Sequence, residues 1–288
     1  MRISTKEFYL SGLQAVQQHT SDILRAQRQI ATGEKYNNAS DSPLAAGMGV
    51  QLVLDHAQFD MFKVNQDFTN AKLAESDTQL KALADGIQRI RQLMVQAGND
   101  LAPDQRSAIK LEVEQIWERM KSFAAVKDSS GNNLFPQVSP SEVPSALIAP
   151  ETEVRGGVSF SEIMGRMAPS QPTIPPSLGF VDAYPIMDHI IAVLDSGQSP
   201  SSSDWTDFEK VSSQVNQASV KIGVLQNHLD AASESADTQR MNIEVERSHL
   251  LDADLAATTS ELAKSNALLQ AAQSIMSRID INNLFQKL

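Results

Sequence analysis

The chain has no cysteine. That excludes disulfides, Cys-ligated zinc and thiol catalysis. It leaves the compartment open, because a secreted protein can do without Cys. Aromatic residues are scarce, at 5% of 288 residues, beside a hydrophobic content of 41%. Such a composition is lean for a globular enzyme and suits an elongated helical body with a thin core. Positive charge is in deficit: 24 Lys and Arg stand against 35 Asp and Glu, a net charge of −11. Phosphate recognition relies on clustered Lys and Arg, so neither nucleic acid nor an anionic membrane surface is an expected partner. No stretch approaches the roughly 18 apolar residues of a membrane span. The opening MRISTKEFYLSGLQAVQQHT lacks the apolar core of a signal peptide, so any export is expected to proceed without a cleaved signal. Proline is absent after Pro200, and nine of the twelve prolines lie between Pro136 and Pro185. Both flanks are therefore free to form long helices, and the middle is not.

The flanks carry heptads. Residues 3–32 read as a helix, with Ile3 and Leu10 seven apart, Val16, Ile23 and Ile30 likewise, and Leu13 between. Gly33 suits the C′ position, where a positive φ is required. The run ATGEKYNNASDSPLAA (31–46) then breaks the helix. Asp41 or Ser42 can cap a new one, with Pro43 at its first position. That helix is expected to reach Ala97 on a stripe of Phe59, Phe62, Leu73, Leu80, Leu83, Ile87, Ile90 and Met94, with Gln66, Thr69 and Ser76 in the same register. Pro103 opens a third helix ending near Lys127. From about Ser203 a heptad runs from Phe208 to Ile243, with Thr206 and Glu209 as an expected capping box. Near RSHLLDADLA (247–256) the register breaks again, and Asp252 or Asp254 can cap a last helix. Leu255, Leu262, Leu269 and Met276 repeat every seven residues on that helix, with Ala272 and Ile279 between.

The middle reads differently. TEVRGGVSF suggests a hairpin turning at Gly156 and Gly157, with Val154, Val158 and Phe160 in its strands. Ala183–Ser196 reads as a short helix. The expected fold class is mainly α: an elongated rod of long heptad helices, terminal helices paired as a coiled coil, and a small β or irregular domain inserted at the tip. The expected division is 1–32 with 252–288 as terminal assembly segments, 33–127 with 201–251 as a long-helix bundle, and 128–200 as an inserted outer domain.

Chemistry is sparse. The five histidines, at 19, 56, 189, 228 and 249, have no partner at metal-ligand spacing. Ser248, His249 and Asp252 are the residue types of a triad, but capping and surface roles explain them better. Gly47 and Gly49 sit just inside a helix start, where close helix packing is expected rather than anion binding. Met48 and Met120 are core candidates. No catalytic, cofactor or metal site is expected. The apolar stripes carry the question of function instead. Leu24, Leu268 and Ile275 lie off the main stripes of the terminal helices, so a pair of those helices leaves apolar surface uncovered and wants neighbours. The expected assembly interface is Ile3, Leu10, Leu13, Val16, Ile23, Leu24, Ile30, Leu255, Leu262, Leu268, Leu269, Ile275, Met276 and Ile279. The expected hinges and caps are Gly33, Asp41, Ser42, Pro43 and Asp252.

MRIST at the start, ATGEKYNNASDSPLAA at 31–46, IQRIRQLMVQAGND at 87–100, DSSGNNLF at 128–135 and LLDADLAATTSELAKSNALLQAA at 250–272 resemble the flagellin superfamily of bacterial axial proteins. The form NNASDSPLAA with Pro43, and the ending NNLFQKL, resemble the branch that joins hook to filament. The resemblance implies a structural protein exported unfolded by the flagellar type III apparatus. Its subunits would self-associate in a ring, with the first hook-associated protein and flagellin as neighbours. A cytoplasmic export chaperone would shield the C-terminal helix. In flagellins the segment matching Arg89, Leu93 and Gln96 packs between protofilaments and is seen by an innate immune receptor. Protofilament contact is the role expected of those three here. A flagellin-type filament subunit and an unrelated helical scaffold stay open as alternatives.

Overall fold

A computed structural model describes residues 2–99, 102–166, 168–170 and 179–285. The described chain is mainly α, as expected. Its elements are α1 (Arg2–Thr32), α2 (Pro43–Ala97), α3 (Pro103–Ser122), β1 (Ser145–Ala149), β2 (Thr152–Arg155), α4 (Phe160–Met164), α5 (Ala183–Asp195), α6 (Ser202–Leu251) and α7 (Leu255–Phe285). Two compact units emerge, Met1–Gln58 with Gln239–Leu288, and Phe59–Thr238.

In the first unit α1 and α7 run antiparallel. Gly12 faces Met276 at one end, and the Gly33 carbonyl accepts from the Ala253 N–H at the other, 2.8 Å away. The seam on α1 is Gly12, Val16, His19, Ile23, Ala26 and Ile30, and on α7 it is Thr258, Leu262, Ser265, Leu269, Ala272 and Met276. Both sets alternate steps of four and three, the pattern of a coiled-coil seam. Small residues let the backbones approach: a Cβ at Gly12 would come within 3.3 Å of Met276 Cγ. Helix α1 stops at Gly33, whose φ of 74° suits glycine and whose N–H returns to the Gln29 carbonyl. Ser42 Oγ accepts from the Ala45 N–H and caps α2. Of the two expected caps there, Asp41 plays another part: it closes the preceding turn by accepting from the Asn38 N–H. Near the end of α6, Gly49 of α2 lies against Leu251, where a Cβ would meet Leu251 Cδ1 at 3.2 Å. Close packing explains Gly49, while Gly47 faces open space.

In the second unit the expected α2 stripe is buried throughout, including its polar members Gln66, Thr69 and Ser76. Gln66 shows why a polar residue sits there. Its Nε2 donates to the Ile148 carbonyl at 2.7 Å, and its Oε1 accepts from Ser233 Oγ at 3.0 Å. The amide thus fastens the hairpin and α6 to α2. Described residues of the middle stretch share one core with α2, α3 and α6: Leu134, Phe135, Ile148, Val154, Phe160, Ile163 and Tyr184 cluster with Leu73, Ile90, Trp117 and Phe208.

Three local expectations are corrected. The hairpin pairs Ser145 with Arg155 and Ala149 with Thr152, and turns at Pro150–Glu151, where Glu151 has φ 57°. Gly156 and Gly157 lie beyond it. Val158 precedes α4 and Phe160 begins it, because Ser159 and Glu162 form a capping box that launches a helix. Helix α6 begins at Ser202, capped by Ser201 and Asp204: the Ser201 N–H donates to Asp204 Oδ2 at 2.7 Å. Thr206 lies already inside α6, and Glu209 pairs with Arg91. Met48 is exposed, unlike Met120, which is buried.

Candidate assembly surfaces

The terminal helix pair buries little. Ile23 and Ala26 are buried on α1, and Ser265 on α7. Val16, Ile30, Leu262, Leu269 and Met276 are half-buried along the seam. Leu10, Leu13, Leu24, Leu255, Leu268 and Ile275 are exposed, four of them by half or more of their surface. The side chains of Ile3 and Ile279 lie outside those described. The structure therefore divides the expected interface residues into a seam within the chain and an uncovered apolar set around it. Exposed leucine and isoleucine on the helix pair form apolar surface that the single chain leaves uncovered.

Helix α2 adds residues that the sequence reading passed over. Val50 and Leu54 of the first unit, and Met61, Val64 and Phe68 of the second, are exposed and spaced by fours, threes or their sum. The signal was present as a second heptad-spaced set, one or two positions away from the buried stripe. The longer buried repeat masked it.

At the joint, Asp254 rather than Asp252 caps α7, accepting from the Ala256 and Ala257 N–H groups at 2.9 and 3.0 Å. Asp252 instead accepts from Ser248 Oγ at 2.6 Å and stands opposite Glu34 in an isolated antiparallel bridge.

Arg89, Leu93 and Gln96 do not share one surface. Arg89 and Gln96 are exposed, and Arg89 Nε donates to Glu112 Oε1 at 2.6 Å, a bond that raises the guanidinium pKa. Leu93 is a core residue, 1% exposed. In the single chain it is not available to a protofilament neighbour.

Two buried carboxylates stand out, and both have structural partners. Burial by itself pushes the Glu162 carboxyl up. Hydrogen bonds from Arg155, Lys221 and the Ser159 N–H outweigh that and hold it below its ordinary value. Asp204 behaves alike: burial raises it, and Ser201 with His189 brings it lower. Among the described residues no group of three or more His, Cys, Asp or Glu could hold a metal ion. No described helix is long and apolar enough to cross a membrane.

Residues 3–139 match the bacterial flagellin N-terminal helical region, and residues 207–288 match the bacterial flagellin C-terminal helical region. The chain belongs to the flagellin family. This family membership sets aside the unrelated helical scaffold. Flagellar hook-associated protein 3 of Salmonella typhimurium is 26% identical over 136 residues, 47% of this chain and 43% of that protein. The Escherichia coli protein of the same name is 21% identical over 314 aligned positions, 99% of each chain. Flagellin of Listeria innocua is 20% identical over 280 positions, 96% of this chain and 95% of that one. Among solved structures, a flagellar hook-associated protein from Vibrio parahaemolyticus shares the fold, with a TM-score of 0.59 at 15% identity over 74% of this chain and all of that one. This flagellin-family chain is thus a structural component of the extracellular flagellum.

Proposed function

We propose that this chain is the subunit of the hook–filament junction, joining the hook, through the first hook-associated protein, to the flagellin filament. The observation that carries the reading is the end-to-end match to a hook-associated protein 3, covering 99% of both chains. Pro43 at the helix start and the ending NNLFQKL support it. Subunits associate as a ring. Residues 1–32 and 252–288 form its inner coiled coil, with Leu10, Leu24, Leu268 and Ile275 turned toward neighbours. The long helices make the next layer, and residues 128–200 face outward. The role is structural rather than catalytic. The chain leaves the cytoplasm unfolded through the flagellar type III apparatus, and the exposed leucines of α7 suit a chaperone that shields that helix beforehand.

A strain lacking the gene tests this reading. Electron microscopy should show hooks without filaments, with flagellin shed into the medium. Intact filaments on such cells overturn it. A filament subunit is the second reading, favoured by the 96% coverage against Listeria flagellin. Purified protein separates the two, because a filament subunit polymerises alone into long filaments and a junction subunit adds only to hook ends.

A further inference from the structure

The two helix breaks, some 218 residues apart in sequence, are joined to each other. The Lys35 N–H donates to the Leu251 carbonyl at 2.6 Å, and the Ala253 N–H donates to the Gly33 carbonyl at 2.8 Å. These bonds flank Glu34 and Asp252, which pair in an antiparallel bridge. Bonds on either side of a facing pair, and none within it, define a non-hydrogen-bonded pair. Such pairs bring their Cα atoms to about 4.5 Å and their side chains closest. Here both facing residues are acidic, and like charges directly opposite weaken a strand pair. Both carboxylates are exposed and act on the same cation: after Glu244, Asp252 and Glu34 raise the Arg247 pKa. Neighbouring bonds keep each connector in shape by itself. Gln29 Nε2 donates to the Lys35 carbonyl at 2.7 Å, and Ser248 Oγ to Asp252.

We propose that the two connectors form one charge-weakened clasp. The bridge holds the end of α1 to the start of α7, and repulsion between Glu34 and Asp252 sets how readily it opens. Each helix end keeps its own cap, Gly33 on one side and Asp254 on the other, so the clasp opens without unwinding a helix. The device belongs to the single chain and stands whichever assembly the chain enters.

The test uses the full-length monomer. Since the chain has no cysteine, Glu34→Cys combined with Asp252→Cys creates one thiol pair at a separation disulfides accept. Mild oxidation should close it within the monomer, seen as a faster band on a non-reducing gel and the loss of two hydrogens by mass. Failure to close overturns the bridge. Hydrogen exchange then reads the opening. Glu34→Gln removes the repulsion at an exposed position and should slow exchange at the Lys35 and Ala253 amides by about two- to five-fold. Asp252→Asn should do the same, and Arg247→Gln should speed exchange. Unchanged or faster exchange in Glu34→Gln overturns the charge-weakened clasp.

Discussion

Leu93 and Arg89 stand four residues apart on α2 and answer to different forces. Leu93 is 1% exposed, so Leu93→Ala should lower stability by about 2–5 kcal/mol through lost burial and a cavity. Arg89→Ala removes only an exposed, solvent-screened pair with Glu112 and should leave stability nearly unchanged. Urea unfolding of both variants checks the contrast. Glu162 is held below its ordinary pKa in the folded chain, so the folded state favours the carboxylate more than the unfolded state does. Its contribution is present at neutral pH, above the unfolded value, and is lost as pH falls through the folded value. Glu162→Gln should therefore cost about 2 kcal/mol at pH 7. The gap to the parent should narrow in acid, below the usual carboxylate range. A gap that stays constant with pH would count against the ionised network.

Helices α1 and α7 are long, yet their common seam buries few side chains. Short isolated helices are marginal in water, and most helix stability comes from packing an apolar face. This pair has little such packing within one chain, and uncovered Leu and Ile remain. Removing 1–32 or 252–288 should abolish assembly while leaving the second unit folded, measured by sedimentation and circular dichroism. Polymerisation of either truncated chain would refute the role given to the ends. The connector belongs to the same scale. Gly33→Pro sets proline where φ is 74° and where an N–H is bonded to Gln29, both incompatible with the ring. Replacing 34–42 with alanines fuses α1 to α2. Both changes should impair assembly and motility more than folding, and normal motility in either strain would refute this.

Over the whole molecule the two units differ in core. Among the described residues the first unit buries four apolar side chains below a tenth of their surface, Ile23, Ala26, Ala45 and Leu52. The second holds a contiguous cluster from Leu73 to Leu229. Opening free energy follows buried contacts, so amides of 59–238 should exchange orders of magnitude more slowly than those of 1–58 and 239–288. Equal protection in the isolated chain would overturn that ranking. A thin first unit also suits the proposed export in an unfolded state, since little packing there has to be undone.

Sequence alone determined the long helices, because each is written as a local repeat with punctuation at its ends. Pro43, Gly33 and Pro103 fall where φ restrictions require them, and the heptads between fix which face is apolar. It also named the family, through motifs at both ends. It did not determine the middle, where TEVRGGVSF looked like a hairpin and the chain instead pairs 145–149 with 152–155. There the capping box of Ser159 and Glu162 competes with the strand pattern, and the Glu162 carboxylate is held by nearby Arg155 and by Lys221, far away in sequence. Tertiary structure likewise chose Gln66 as a buried clamp, put Leu93 inside and Arg89 outside, and set Glu34 opposite Asp252. A local repeat shows which side of a helix is apolar. Only the packed chain settles which apolar side is covered and which distant residues meet.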